Sequence, residues 1–496
     1  MADSDRPNIL FILADDHGAW ALGCAGNAEI KTPNLDRIAA SGAMFSSFFC
    51  VSPVCSPARA SILTGRIPSR HGVHDWLRAG SSTIEPDRDG RLTDYLEGQT
   101  AYSELLAADG YLCGISGKWH LGDSHHPHKG FEFWEVHATG GGPYYGAPLI
   151  RGGEVCREER YVTDVITDNA LEFLDRRAGD ERPFYLSVHY TAPHSPWERE
   201  QHPREVFDKY HADCRFHSAP QEPMHPWQIN SAPYGHDESS RRNHLSGYYA
   251  AITEMDRNVG RLVDRLEAQG LRESTLVVFT GDNGMNMGHH GIYGKGNGTF
   301  PQNMYDTSVK VPMLISRPGH VPAGLRCDDL LSHYDVMPTL LEYCSVGNPE
   351  AASLPGRSFS PLLRGGSPEQ REDIVVFDEY GPTRMIRTRT HKYVHRYPYG
   401  PHELYDLQAD PDERENLYDR ESAVARELKG RLEEWFVRYC DPARDGSREP
   451  VTGKGQLGLV GPAGRGESVF ADDWHYLGDG RDGRDGRDGR DGRGRR

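Results

Sequence analysis

The chain lacks any Cys-x-x-Cys pair, any long apolar run and any excess of basic charge, and each absence removes a class of function. Its 9 cysteines (Cys24, Cys50, Cys55, Cys113, Cys156, Cys214, Cys327, Cys344 and Cys440) are odd in number and scattered. Such a set builds neither a disulfide framework nor a zinc site. The first apolar run, Asn8–Ala14, falls far short of the roughly 20 residues that span a bilayer. The residues ahead of it are acidic and carry no targeting pattern, so the expected setting is cytoplasmic, with no membrane partner. Lys and Arg number 56 against 73 Asp and Glu, a formal charge of −17. That field disfavours nucleic acid and anionic membranes as partners, but a locally positive pocket can still take a small anionic substrate. The final stretch, Gly478–Arg496, has no apolar residue and repeats Arg-Asp-Gly. It cannot bury enough surface to offset ordering and is expected to be disordered.

Hydrophobic residues make up 37% of the 496, enough for a large core, and the length allows roughly two to four domains or one large domain with an appendage. Asn8–Ala14, Phe184–Tyr190, Thr275–Thr280 and Pro312–Ser316 are short apolar runs of the kind found in strands buried on both faces. Thr163–Arg177, Tyr248–Gln269 and Ser332–Cys344 carry apolar residues at helical spacing. Strands alternating with helices predict an α/β fold with a large, mostly parallel sheet flanked by helices. Ligands of such sheets gather at the carboxyl ends of the strands. Asp15-Asp16 and Asp282-Asn283 follow two of these runs directly, which puts both pairs at one sheet edge.

The composition shifts after about Pro355. Ile374–Asp378, Arg384–Thr388 and Lys392–Arg396 read as strands and Glu421–Cys440 as an amphipathic helix. The expected organisation is a main α/β domain over residues 1–360 and a smaller α+β domain over 361–445. A loop-rich extension over 446–477, able to lie against the body, and the tail 478–496 complete it.

The most specific string is Cys55-Ser56-Pro57-Ala58-Arg59, continued by Ala60-Ser61-Ile62-Leu63-Thr64-Gly65-Arg66. A lone cysteine is usually a small buried thiol, but the whole string resembles the C-x-P-x-R, four residues, T-G-R pattern of the type I sulfatases. The resemblance implies an alkaline-phosphatase-like fold and a Cys55 oxidised to Cα-formylglycine by a formylglycine-generating enzyme. The chemistry has an independent rationale. A sulfate ester is an anion that repels a thiolate, whereas a hydrated aldehyde offers two hydroxyls. One attacks sulfur, and the other expels sulfate as the aldehyde re-forms. The displacement is thereby split into two easier steps.

Asp15, Asp16, Asp282 and Asn283 are hard oxygen donors, suited to Ca²⁺ and less so to Mg²⁺. Each pair alone reads as a turn. With Cys55 they resemble the sulfatase metal site, in which the ion also meets the oxygen carried by residue 55 and lowers the pKa of the nucleophile. The same resemblance makes Asp282 the base for the attacking hydroxyl. Arg59 would brace the carboxylates.

Gly117-Lys118-Trp119-His120-Leu121-Gly122 and Pro193-His194-Ser195-Pro196 resemble two further family strings. They imply that Lys118 holds sulfate oxygens, that His120 deprotonates the second hydroxyl, and that His194 lies near the leaving oxygen. Lys295, within Gly294-Lys295-Gly296, matches a second family lysine; it or His194 would protonate the leaving group. His289 and His290 are alternatives in the same Gly-rich loop. The expected activity is hydrolysis of sulfate monoesters, of a saccharide or an aryl alcohol. A phosphonate monoester or phosphodiester hydrolase, and an inactive binder of anionic sugars, are the competing readings. Specificity is expected from loops around Trp76-Leu77-Arg78, Gly140–Tyr145, His225–Trp227 and Tyr397–His402.

Overall fold

The computed structural model describes residues 6–177, 179–235, 237–378, 383–446 and 454–460. Eight strands form the main sheet: β1 (Asn8–Ala14), β2 (Ala43–Phe45), β3 (Leu112–Gly117), β4 (Phe133–Val136), β5 (Phe184–His189), β6 (Thr275–Gly281), β7 (Met313–Ser316) and β8 (Leu325–Cys327). Their spatial order is β8-β2-β7-β6-β1-β5-β3-β4. The run β6-β1-β5-β3-β4 is parallel throughout, and β7 runs against both of its neighbours.

β1 is central, pairing with β5 at Ile9↔Tyr185 and with β6 at Ile9↔Leu276. Its side chains alternate between two cores, as the strand period requires. Leu10, Ile12 and Ala14 meet apolar residues of helices α1 (Pro33–Ala40), α3 (Val162–Arg176) and α4 (Glu238–Ala268). Ile9, Phe11 and Leu13 meet Ala60, Ile62 and Leu63 of α2 (Cys55–Thr64) on the opposite face. Helices on both faces leave no polar side to the strand, which is why Asn8–Ala14 is an unbroken apolar run.

Two expected elements shift and one is added. α4 begins at Glu238 rather than Tyr248, because the Asp237 side chain accepts the Ser240 amide and caps a polar first turn. The segment expected as a helix from Ser332 starts as a short strand, Leu331–Ser332, and a tight turn; the helix α5 runs from Val336 to Tyr343. A fourth strand, Glu403–Asp406, joins the smaller sheet.

That smaller sheet is antiparallel, with β9 (Asp373–Asp378), β10 (Thr383–Thr388), β11 (His391–Arg396) and β12 (Glu403–Asp406) in sequence order. Helix α6 (Ser422–Tyr439) covers it through Leu428, Leu432 and Phe436. Val51 and Ile67 share that core, and the Phe377 amide donates to the Val51 carbonyl at 2.9 Å. The segment leading into Cys55 is therefore braced from the small domain. Within the extension, residues 454–460 lie along the loop 72–78, while 447–453, 461–477 and the Arg-Asp-Gly tail fall outside the described residues. No helix among the described residues is long and apolar enough to cross a membrane.

Asp256, inside α4, ties the layers together. Its carboxylate accepts from the Asn34 amide (3.2 Å), Asn34 Nδ2 (2.9 Å) and the Leu35 amide (2.8 Å), satisfying donors at the start of α1. Asp256→Ala leaves those buried donors unmet and is expected to lower stability by about 1–3 kcal/mol. Urea unfolding is the check; an unchanged midpoint would mean that water replaces the cap.

Candidate active site

Four adjacent strands, β6, β1, β5 and β3, end at one edge and release the functional residues there. Asp15 and Asp16 follow β1, Asp282 and Asn283 follow β6, Lys118 and His120 follow β3, and His194 follows β5. Parallel pairing makes the edge; it aligns Ala14 with Gly281 and Gly117 with His189. Asp16 (φ 63°) and His120 (φ 53°) both adopt left-handed backbone, a strained choice for residues with side chains. Cys55 is the first residue of α2, whose N-cap, Val54, has no side-chain cap. Free amides at a helix start attract an anion.

The carboxylates Asp15, Asp16 and Asp282 are buried and place oxygens within 4.8 Å of one another. Three cations meet them. Lys118 Nζ lies 2.6 Å from Asp15 Oδ2, Lys295 Nζ 2.5 Å from Asp16 Oδ1, and Arg59 Nη2 2.9 Å from Asp282 Oδ2 and 3.7 Å from Asp15 Oδ1. Asn283 Nδ2 donates to Asp16 Oδ1 at 2.8 Å, and the Asp16 and Asn283 amides both donate to Asp282 Oδ1. Two oxygens, Asp15 Oδ1 and Asn283 Oδ1, are buried with no hydrogen-bond donor. Unmet acceptors inside a carboxylate cluster are what a hard divalent cation would satisfy.

These charges act on one another strongly. Burial pushes the Asp15 carboxyl up to about 6 against the pull of Lys118. Burial acts in the same sense on Asp16 and Asp282 but is outweighed, by Lys295 and His194 for the first and by Arg59 and Lys118 for the second. Both sit below the usual carboxylate range. Burial would raise the Cys55 thiol, yet Lys118 and Lys295 bring it below its ordinary value. Burial and then Lys118 hold His120 far below a normal imidazole, so the ring is neutral.

His120 Nε2 lies 2.9 Å from the Leu77 carbonyl. A carbonyl only accepts, so Nε2 carries the proton and Nδ1 keeps its lone pair. His120 Nδ1 is buried and has no hydrogen-bond partner. His194 Nδ1 donates to the Ser195 carbonyl at 2.7 Å, and Nε2 is 3.7 Å from Asp16 Oδ2. Of the Gly-rich loop, Lys295 reaches the cluster; His290 instead stacks on Tyr305 at 3.8 Å and His289 packs on Trp20 at 4.7 Å.

Other contributors carry no sequence string. His189 bonds the Lys118 carbonyl at 3.0 Å and Ser187 Oγ at 2.6 Å, bracing the turn after β3. A Cβ on Gly140 would stand 2.1 Å from His120 Nε2, and one on Gly141 3.6 Å from His194 Cε1. The Gly140–Tyr145 segment, expected to shape specificity, thus closes tightly on His120 and passes beside His194, and its run of glycines was the available signal.

The sulfatase family profile matches residues 7–346, which include every residue that the structure gathers at this sheet edge. The chain belongs to the sulfatase family. A second profile, described as N-sulphoglucosamine sulphohydrolase, C-terminal, matches residues 288–438. An N-acetylglucosamine-6-O-sulfatase of Bacteroides thetaiotaomicron is 28% identical, over 92% of this chain and 91% of that protein. Human arylsulfatase A is 31% identical, over 84% of each. A solved structure of a protein with its substrate D-glucosamine-2-N,6-O-disulfate superposes with a TM-score of 0.75 at 25% identity, covering 90% of this chain and all of that one. This sulfatase, with its alkaline-phosphatase-like fold, is an enzyme that hydrolyses sulfate monoesters. A phosphonate monoester hydrolase of Agrobacterium radiobacter, 21% identical with a TM-score of 0.64, shares the fold.

Arg59 neutralises two buried carboxylates and is itself buried. Arg59→Ala should therefore cost about 3–5 kcal/mol in metal-free protein. Asp282 has a lowered pKa when folded. Its ion-pair stabilisation is complete above the unfolded value near pH 4 and fades as pH falls through the lower folded one. The variant's deficit should accordingly be large at pH 7 and shrink in acid, as denaturation with chelator present at each pH would show; a pH-independent deficit would assign the loss to packing.

Proposed function

We propose that this sulfatase removes sulfate from a saccharide, of the sulfated amino-sugar class, using residue 55 in its formylglycine form and Ca²⁺. The observation that carries the reading is the balance of charge among the buried groups of the site. Three carboxylates face three cations; a divalent ion added to Asp15, Asp16, Asp282 and Asn283 creates a positive surplus that only an anionic substrate relieves. When bound, the ion would supply Lewis acidity toward a sulfate oxygen and the nucleophilic hydroxyl. All four residues offer oxygen donors, and Asp15 Oδ1 and Asn283 Oδ1 stand unpartnered, which favours a hard cation of flexible coordination.

The chain's own groups then divide the work. Lys118 and the start of α2 bind sulfate oxygens, with Arg59 fixing the carboxylate frame. Asp282, kept ionised beside Arg59, receives the proton of the attacking hydroxyl. His120, neutral and presenting Nδ1, takes the proton of the second hydroxyl as sulfate departs. Lys295 and His194 face the leaving oxygen and supply its proton. Maturation requires a formylglycine-generating enzyme acting on Cys55. The saccharide class is supported by the relatives' substrates, N-acetylglucosamine 6-sulfate by name and D-glucosamine-2-N,6-O-disulfate in the solved complex.

Three experiments test this. Mass spectrometry of the peptide spanning residue 55 from active protein should show an aldehyde, and Cys55→Ala should fold yet fail to turn over; full activity with an unmodified thiol would refute the nucleophile. Ranked by kcat/KM, 6-O-sulfated amino sugars should exceed aryl sulfates and phosphonate monoesters, and a phosphonate at the head of the ranking would reverse the assignment. Exhaustive chelation should abolish turnover and lower the melting temperature, with Ca²⁺ restoring both. Undiminished activity in demonstrably metal-free protein would return the aspartates to a purely structural role.

A further inference from the structure

Residues 454–460 lie beyond both matched regions, which end at 346 and 438, and they touch the site through one intermediary. Leu77 and Gln456 form a parallel bridge. The Gln456 amide donates to the Trp76 carbonyl at 2.8 Å, and the Arg78 amide donates to the Gln456 carbonyl at 2.9 Å. In a parallel ladder the residue between those two partners points its own amide and carbonyl the other way. For Leu77 that way is the active site. Its amide donates to Ser56 Oγ at 3.1 Å, in the first turn of α2, and its carbonyl accepts a hydrogen bond from His120 Nε2 at 2.9 Å.

The strap is locked onto this loop by more than the ladder. Gln456 is 0% exposed. Its Oε1 accepts the His74 amide at 2.9 Å, and its Nε2 donates to the Gly72 and Gly458 carbonyls at 3.0 and 2.8 Å. The Gly455 amide donates to Asp75 Oδ2 at 2.8 Å. Gly455 has φ 94°, and a Cβ there would stand 2.9 Å from Arg78 Cβ and 3.0 Å from the Trp76 ring. The loop 72–78 has no regular secondary structure of its own around Leu77, so this strap supplies the pairing that a neighbouring strand would.

We propose that Gln456 is a positioning residue of this sulfatase: by clamping the loop 72–78 it aims the Leu77 carbonyl at His120 and so selects the His120 tautomer whose Nδ1 can accept a proton. The inference rests on the base role given to His120 above. It requires that loss of the clamp change the ring's protonation pattern as well as the rate.

The test is a double-mutant cycle on the full chain with two readouts. In ¹⁵N-histidine NMR of the unmodified, metal-free protein, the His120 resonance (identified by its loss in His120→Ala) should report the Nε2–H form in the parent and a mixture in Gln456→Ala. With matured enzyme and 4-nitrophenyl sulfate, Gln456→Ala should lower kcat by roughly 10- to 100-fold, the usual cost of losing a group that orients a site ligand, with KM nearly constant. Gln456→Glu, which keeps the acceptor for His74 but turns a second acceptor onto the Gly72 and Gly458 carbonyls, should not recover the rate. In the double variant Gln456→Ala should cost nothing beyond His120→Ala.

An unchanged His120 tautomer in folded Gln456→Ala, or additive losses in kcat, would overturn the proposal. Should Gln456→Ala not fold, Gly455→Ala, which pushes a methyl against Trp76 and Arg78, is read by the same cycle and criteria. Full activity in His120→Ala would instead refute the base assignment, and the NMR comparison would still decide whether the strap sets the ring.

Discussion

Like charges packed within a few ångströms and cut off from water repel each other too strongly to coexist unaided. This chain sets Asp15, Asp16 and Asp282 in that situation, and most of the surrounding architecture can be understood as its compensation. Arg59 comes from a helix buried along its whole length, Lys118 from the end of a strand, and Lys295 from a loop seated on Pro53, where a Cβ on Gly296 would stand 2.3 Å from the proline ring. Each cation is held by an element that belongs to a different part of the fold. No carboxylate is therefore neutralised by its own neighbourhood, and the site is stable only when the sheet, α2 and the loop are all in place.

The same logic governs the histidines, whose value lies in which nitrogen is free. His120 is gripped from several directions at once: a left-handed backbone, the Leu77 carbonyl on Nε2 and the backbone of Gly140 against the ring. His194 is turned by its bond to the Ser195 carbonyl. Backbone groups do this work better than side chains because a carbonyl cannot change its role from acceptor to donor.

What could be read from sequence follows from the range over which each feature is encoded. The apolar run of β1 was legible because both its faces are covered, and Asp15-Asp16 and Asp282-Asn283 were legible because they stand directly at strand ends. The Cys55–Arg66 and Lys118–His120 strings are short and local, so they carried Cys55, Arg59, Lys118 and His120. The antiparallel sense of β7 was not legible, since an apolar run has no direction. The first two turns of α4 were hidden because their buried face includes Arg241, whose Nη2 donates to the Phe216 and Ala219 carbonyls of the preceding loop. Leu77 was placed in a specificity loop but its hold on His120 could not be read, because it acts through its backbone, nor could Gln456, because its partner His74 lies 382 positions away.

Those separations bear on the order in which the molecule comes together. Asp16 meets Asp282 across 266 positions, and Arg59 meets Asp282 across 223. Contacts so remote in sequence close late, because the loop between them must be gathered first. During synthesis the stretch around residue 55 emerges long before the strand that will enclose it exists. There is thus an interval in which Cys55, buried in the finished protein, belongs to an open chain, and that interval ends when β6 docks beside β1.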